Sequence, residues 1–164
     1  MPHVDEQQFR ESLSRLLREL FEGPAPDASF VLNRGDHGLL ASLDQLSSDA
    51  ASARPNGRAS VAAYVDHLRY GLSLLNRWAR GDNPWADADF AASWQRVQVT
   101  DEQWRAVREA LRIEAREWRE AIFERREWDK DSLTEAMASV IHLAYHLGAI
   151  RQIQPAAGGP PAKD

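Results

Sequence analysis

The chain contains no cysteine. Disulfides, thiolate metal sites and a cysteine nucleophile are thereby excluded, and any thiol chemistry would have to use an external thiol. The absence is compatible with a cytosol. The opening residues Met1-Pro2-His3-Val4-Asp5-Glu6 hold no basic region followed by an apolar run, so no signal peptide is expected. No apolar stretch is long enough to span a bilayer. A cytoplasmic protein without a membrane partner is the expectation. Positive charge is also in deficit, with 20 Lys and Arg against 25 Asp and Glu and a net charge of -5. The arginines alternate with glutamates, as in Glu114-Ala115-Arg116-Glu117, which marks a solvated helix surface rather than a face for phosphates. No nucleic-acid partner is expected.

What is present fits one globular domain. The chain has 164 residues, 43% of them hydrophobic and 27% charged. Its six tryptophans are a heavy load for this length and should sit at least partly in the core. Asp5 can cap a first helix to about Glu22, with Phe9, Leu13, Leu16, Leu17 and Leu20 on one stripe. Gly23 and Pro24 end it. A shorter helix capped by Asp36 should follow, and Ser47 to Gly57 reads as a loop. Ser60 caps a helix over about Val61 to Arg80. A long connection from Trp85 to Val99 follows, which Trp85, Phe90 and Trp94 should pin against the body.

Thr100 and Gln103 form a capping box for a helix over about Asp101 to Arg126. The last helix should begin near Asp131 or Ser132, with Glu135 completing its cap, and run to about Ile153. It is apolar on most of its surface, which places it at the centre of a bundle or against a partner subunit. Residues 154–164 are rich in Pro, Gly and Ala and read as a disordered tail. With no strand pattern and no repeat, four long amphipathic helices over residues 1–153 give an all-α four-helix bundle with short extra helices.

Chemistry concentrates in the histidines. His142 and His146 stand at i and i+4 on the apolar last helix, with backbones roughly 6 Å apart on one face. Burying two imidazoles among Ile141, Leu143 and Leu147 costs free energy unless their nitrogens find partners, and a metal ion supplies one for each ring. His67 lies mid-helix in the second long helix. Gly71, one turn on, costs roughly 1 kcal/mol relative to Ala in a helix and so suggests a need for space beside the ring. Facing helices of a bundle commonly build metal sites in this way. The same spacing also fits ordinary core or surface histidines.

Supporting candidates are Glu114, placed to orient a histidine or else to reach solvent, and Tyr64 and Tyr145, which can offer hydroxyls or simply pack their rings. His37 reads as a cap or surface residue, and His3 as part of a frayed terminus.

Two segments carry a family resemblance. Val65-Asp66-His67-Leu68-Arg69-Tyr70-Gly71-Leu72 resembles the second-helix motif of the DinB-like superfamily. Ile141-His142-Leu143-Ala144-Tyr145-His146-Leu147-Gly148-Ala149-Ile150-Arg151-Gln152 resembles its last-helix motif. Relatives often have Gly-Gln-Ile after the second histidine of the pair, where this chain has Gly148-Ala149-Ile150 and a later Gln152.

The resemblance spans about Asp5 to Ile153 and implies a bundle with one long crossover. It also implies one divalent metal ion, zinc or nickel or similar, on His67, His142 and His146, with open coordination positions for water or substrate. Some such proteins are transferases or isomerases that use a low-molecular-weight thiol, and some are proposed hydrolases. A homodimer is common among them.

Two functions follow from these readings. One is a metal-dependent transferase or hydrolase acting on a small molecule. The other is a non-catalytic dimeric binding or stress-response module whose metal is structural or absent.

Overall fold

Each long helix starts where a side chain satisfies its first free backbone N–H groups. Asp5 Oδ1 accepts from Gln8 N–H at the start of α1 (Glu6–Glu22), and Gln8 returns the bond to the Asp5 backbone. Ser60 opens α4 (Val61–Ala79), and the Thr100–Gln103 capping box opens α5 (Asp101–Glu124). The last helix, α6 (Lys130–Ile153), starts one or two residues earlier than its pattern predicts. Its capping box is Asp129 with Ser132, so Glu135 is free of the cap.

The computed structural model describes residues 5–57, 59–125 and 127–161. His3 and Arg126 lie outside them. The described residues are all-α, with the single bridge Ala25–Ala28 as their only extended pairing.

Two short helices precede α4. In α2 (Gly38–Asp44) the cap position is His37, which makes no side-chain capping bond, while Asp36 Oδ1 accepts from Gly38 N–H one step later. Gly38 has φ +72° and meets the end of α1 so closely that a Cβ there would stand 2.5 Å from the Gly23 nitrogen. The stretch expected as a loop after Ser47 contains α3 (Ser48–Ser52), because Ser47 Oγ accepts from Ala50 N–H.

The core runs between the long helices. α1 and α4 each pack against both α5 and α6. Leu17, Leu20 and Phe21 of α1 meet Val61, Val65 and Leu68 of α4, Leu111, Trp118 and Ile122 of α5, and Leu143, Leu147 and Ile150 of α6. Trp104 and Trp118 are buried and both indole N–H groups are partnered, by Leu46 O and Ser139 Oγ respectively. Trp78, Trp94 and Trp128 are half-buried, whereas Trp85 is exposed.

The C-terminal segment corrects the sequence expectation. Residues 154–161 pack against the body rather than forming a disordered tail; residues 162–164 lie outside the description. A short 3-10 turn, Pro155–Ala157, buries Ala157 completely. Arg151 holds it by donating to Ala157 O while pairing with the buried Asp36 carboxylate at 2.8 Å, and Asn33 Nδ2 donates to Pro160 O. Composition points to disorder because the anchors are remote: Asn33 lies 127 residues from Pro160, and Arg151, which holds Ala157 O, is itself paired with Asp36 across 115 residues.

Candidate metal centre

His67 projects from the middle of α4, and His142 and His146 from successive turns of α6. α4 and α6 pack side by side, so the three rings meet between them. The Nε2 atoms of His67 and His142 are 3.2 Å apart, and those of His142 and His146 are 2.8 Å apart. One ligand atom from each residue lies within 4.8 Å of the other two, so the cluster can hold a metal ion. Among the described residues no fourth His, Asp or Glu joins it.

The neighbours of His67 fix which nitrogen faces the cluster. Ser93 Oγ–H donates to Phe90 O at 2.7 Å. The same oxygen is therefore left to accept from His67 Nδ1–H at 2.9 Å. His67 Nε2 then presents a lone pair toward His142. A single proton on His142 Nε2 can bridge to one neighbour at a time, so three converging Nε2 atoms are short of protons. A cation resolves that shortage. Two nitrogens each ~2.1 Å from one ion stand roughly 3.0–3.4 Å apart, close to the spacings found here. The donor set is neutral at ordinary pH, as ligation requires. Burial, with His142 adding its charge, pushes His67 down from 6.5 to about 4. His146 is brought to about 4 by burial first and then by His142 and His67. His142 is lowered by burial alone.

The long connection supplies much of this environment. Trp94 stacks on His67 with ring centroids 4.1 Å apart and planes at 21°. Arg96, from the same segment, pairs with buried Asp66, which also binds Arg69. Tyr70 Oη accepts from Asp89 N–H, and the Phe90 ring meets Tyr70 edge-on. Trp94 pins the segment as expected, whereas the other two expected anchors, Phe90 and Trp85, are exposed, Phe90 touching Tyr70 by its ring edge. Ser93, which orients His67, was invisible in the sequence because it lies in an aperiodic stretch.

The remaining candidates divide. Gly71 lies beside the site, but a Cβ built there would stand 4.0 Å from its nearest neighbour, His142 Cε1, an ordinary van der Waals contact, so space alone does not demand glycine. Tyr64 and Tyr145 lie by their rings against His146, at 5.4 and 5.0 Å between centroids. Glu114 is not brought to the histidines. Its carboxylate accepts from Asn76 Nδ2 at 2.7 Å, and Asn76 lies nine residues, or ~13 Å, beyond His67 along α4. His37 is exposed and is not part of the cluster. His146 Nδ1 is buried without a partner among the described residues.

A cavity of about 240 Å³ opens beside His142, between α1, α4 and α6, with Trp85 and Phe90 at its rim. Its walls are largely leucine and phenylalanine side chains, including Phe21, Leu68, Leu72 and Leu143.

The architecture is therefore an all-α body carrying a three-histidine cluster beside an apolar cavity. A family model describing the DinB superfamily matches residues 32–150, more than half of the chain, and the chain belongs to the DinB superfamily. No curated protein and no solved structure gives a significant match. No helix of the described residues is long and apolar enough to cross a membrane.

Proposed function

We propose that the chain is a metal-dependent enzyme, a transferase using an external thiol or a hydrolase, acting on a small molecule at His67, His142 and His146. The observation that carries this reading is the junction of the histidine cluster with the cavity. His142 is exposed on the cavity side while His67 and His146 are buried, so the cluster is closed by protein behind and open in front. A purely structural site needs no such opening, and a fourth protein ligand would have closed it.

We propose zinc or nickel as the ion. A divalent ion on three neutral imidazoles supplies Lewis-acid polarisation and acidifies a bound donor. The chain's own contribution is positional. Ser93 keeps His67 in the tautomer that turns Nε2 to the ion, Trp94 shields the back of that ring, and Gly71 lines the cavity beside His142. The lack of cysteine means that a thiol co-substrate would come from solution.

We further propose that the protein is a homodimer acting in the cytoplasm. The dimer is supported by the exposed Met137, Ile141 and Tyr145, which follow each other at four-residue spacing on α6.

Elemental analysis by mass spectrometry tests the centre on tag-free protein, beside His142→Ala/His146→Ala. The expected result is near-stoichiometric metal in the wild type and none in the variant, followed by activity in a screen of thiols, esters and amides. Absence of metal in the wild type after incubation with zinc or nickel would favour the non-catalytic module.

A further inference from the structure

The cavity beside His142 is not uniformly apolar. Glu135 lines it, two turns before His142 on the same face of α6. Seven residues of helix place the two side chains' origins ~10 Å apart along the axis. Glu135 is half-buried. Among the described residues its carboxylate makes no hydrogen bond and no ion pair.

That isolation sets it apart from the other buried and half-buried carboxylates of the described residues. Asp36, Asp44 and Asp66 are each paired with arginines, and buried Glu19 accepts three backbone N–H groups from Phe30, Val31 and Leu32. The hydroxyl nearest to Glu135 in the cavity wall is also committed. Ser139 Oγ accepts from Trp118 Nε1–H and donates to Ala136 O. Glu135 is thus the uncommitted polar group at one end of an apolar slot whose other end is His142.

A carboxylate beside leucine and phenylalanine walls is costly to leave without a counter-charge. It gains most from a ligand cation that brings both the charge and the donors, while the walls take up an apolar body. The volume, about 240 Å³, limits that body to a single ring or a short chain.

The geometry points to an amphipathic amine as the ligand class: a small molecule with an apolar body, whose protonated nitrogen meets Glu135 and whose far end lies before the histidine cluster. Glu135 is then a specificity-determining residue. The assignment rests on the proposed metal centre only for what happens at the far end, because the slot and its carboxylate exist without the ion.

Calorimetric titration with phenylbutylamine, phenylbutanol and phenylbutyrate tests this, since the three share one body and differ in charge. It is run on metal-loaded protein, on metal-stripped protein and on Glu135→Gln. The expected result is an amine affinity about tenfold above that of the alcohol, the size of a charge-assisted bond. The preference should persist without metal and disappear in Glu135→Gln, whose alcohol binding is retained.

Ala138→Trp, which fills the slot from an exposed helix position, should abolish binding of all three probes without lowering Tm. Equal affinity for amine and alcohol, a preference that survives Glu135→Gln, or no binding of any probe would overturn the assignment. Absence of metal together with a retained amine preference would instead sink the metalloenzyme reading and leave the slot assigned.

Discussion

α5 and α6 are both 24 residues long, and they spend their surfaces differently. α5 has one buried stripe, Trp104, Val107, Leu111, Ala115, Trp118 and Ile122. Its other side is charged and tied to neighbours through Arg108 and Arg112 to Asp44 and Arg119 to Glu22. Such exposed pairs contribute little stability, generally under about 1 kcal/mol each. They show instead a face committed to solvent.

α6 buries Val140, Leu143, Leu147 and Ile150, yet exposes Met137, Ile141 and Tyr145, and it carries His142, His146 and Glu135 between these two faces. One helix has a single task, to fold. The other has an apolar face left over and its polar groups gathered at a cavity. Function in this chain is concentrated where amphipathicity breaks down.

The sharpest way to test that division is to damage each helix. Trp118→Ala removes one of the two buried tryptophans of α5 and also the N–H bond to Ser139 on α6. A loss of about 3–5 kcal/mol in unfolding free energy is expected from urea denaturation, the usual range for Trp or Phe truncation in a core. A loss below about 1 kcal/mol would mean that α5 does not anchor the fold. On the α6 side the effect should fall on the site. Ser93→Ala, which leaves His67 Nδ1 without its acceptor, should lower metal affinity about 10–100-fold with little change in Tm. Unchanged affinity in a competition titration would reduce Ser93 to packing.

Acid separates the two regions again, and the sign follows from the histidines. His67 and His146 ionise near 4 in the folded protein but near 6.5 when unfolded. Between those values the unfolded chain binds more protons, so unfolding free energy rises with pH. The metal-free protein should therefore be fully stabilised by its neutral histidines above about pH 6.5 and lose that contribution steadily down to about pH 4. In His67→Gln/His146→Gln the slope across this window should flatten. A slope equal to that of the wild type would assign the acid sensitivity elsewhere.

The same contrast decides what could be read from sequence. The start and the buried face of α5 are legible because its cap, Thr100 with Gln103, and its apolar period are both local. So are the histidines, since i and i+4 on one helix need no knowledge of the partner. The start of α6 lies one or two residues before the position its pattern gives, because Asp129 caps it with Ser132 in place of Ser132 with Glu135, and Glu135, free of the cap, lines the cavity. Glu114 looked inward by its register but meets Asn76, because register gives a face and not a height along the neighbouring helix. Ser93 and the packing of residues 154–161 depend on contacts across 26 and 115 residues, with His67 and Asp36 as the anchors. No period or cap encodes those.

The smallest effect on stability is expected from one substitution made on both helices. Ile113 on α5 and Ile141 on α6 are 38% and 65% exposed, so in a monomer Glu should replace either within about 0.5 kcal/mol. Their consequences for assembly should differ. Ile113 is a lone apolar residue among arginines and glutamates, and Ile113→Glu should leave the molar mass measured by light scattering unchanged. Ile141 sits at the centre of the Met137–Tyr145 stripe, and a carboxylate there would meet its own symmetry mate across a two-fold interface. Ile141→Glu should therefore halve the mass of a dimeric wild type. If both variants keep the wild-type mass, the dimer is built elsewhere or not at all, and the Met137–Tyr145 stripe, which does not line the cavity beside His142, is no assembly surface.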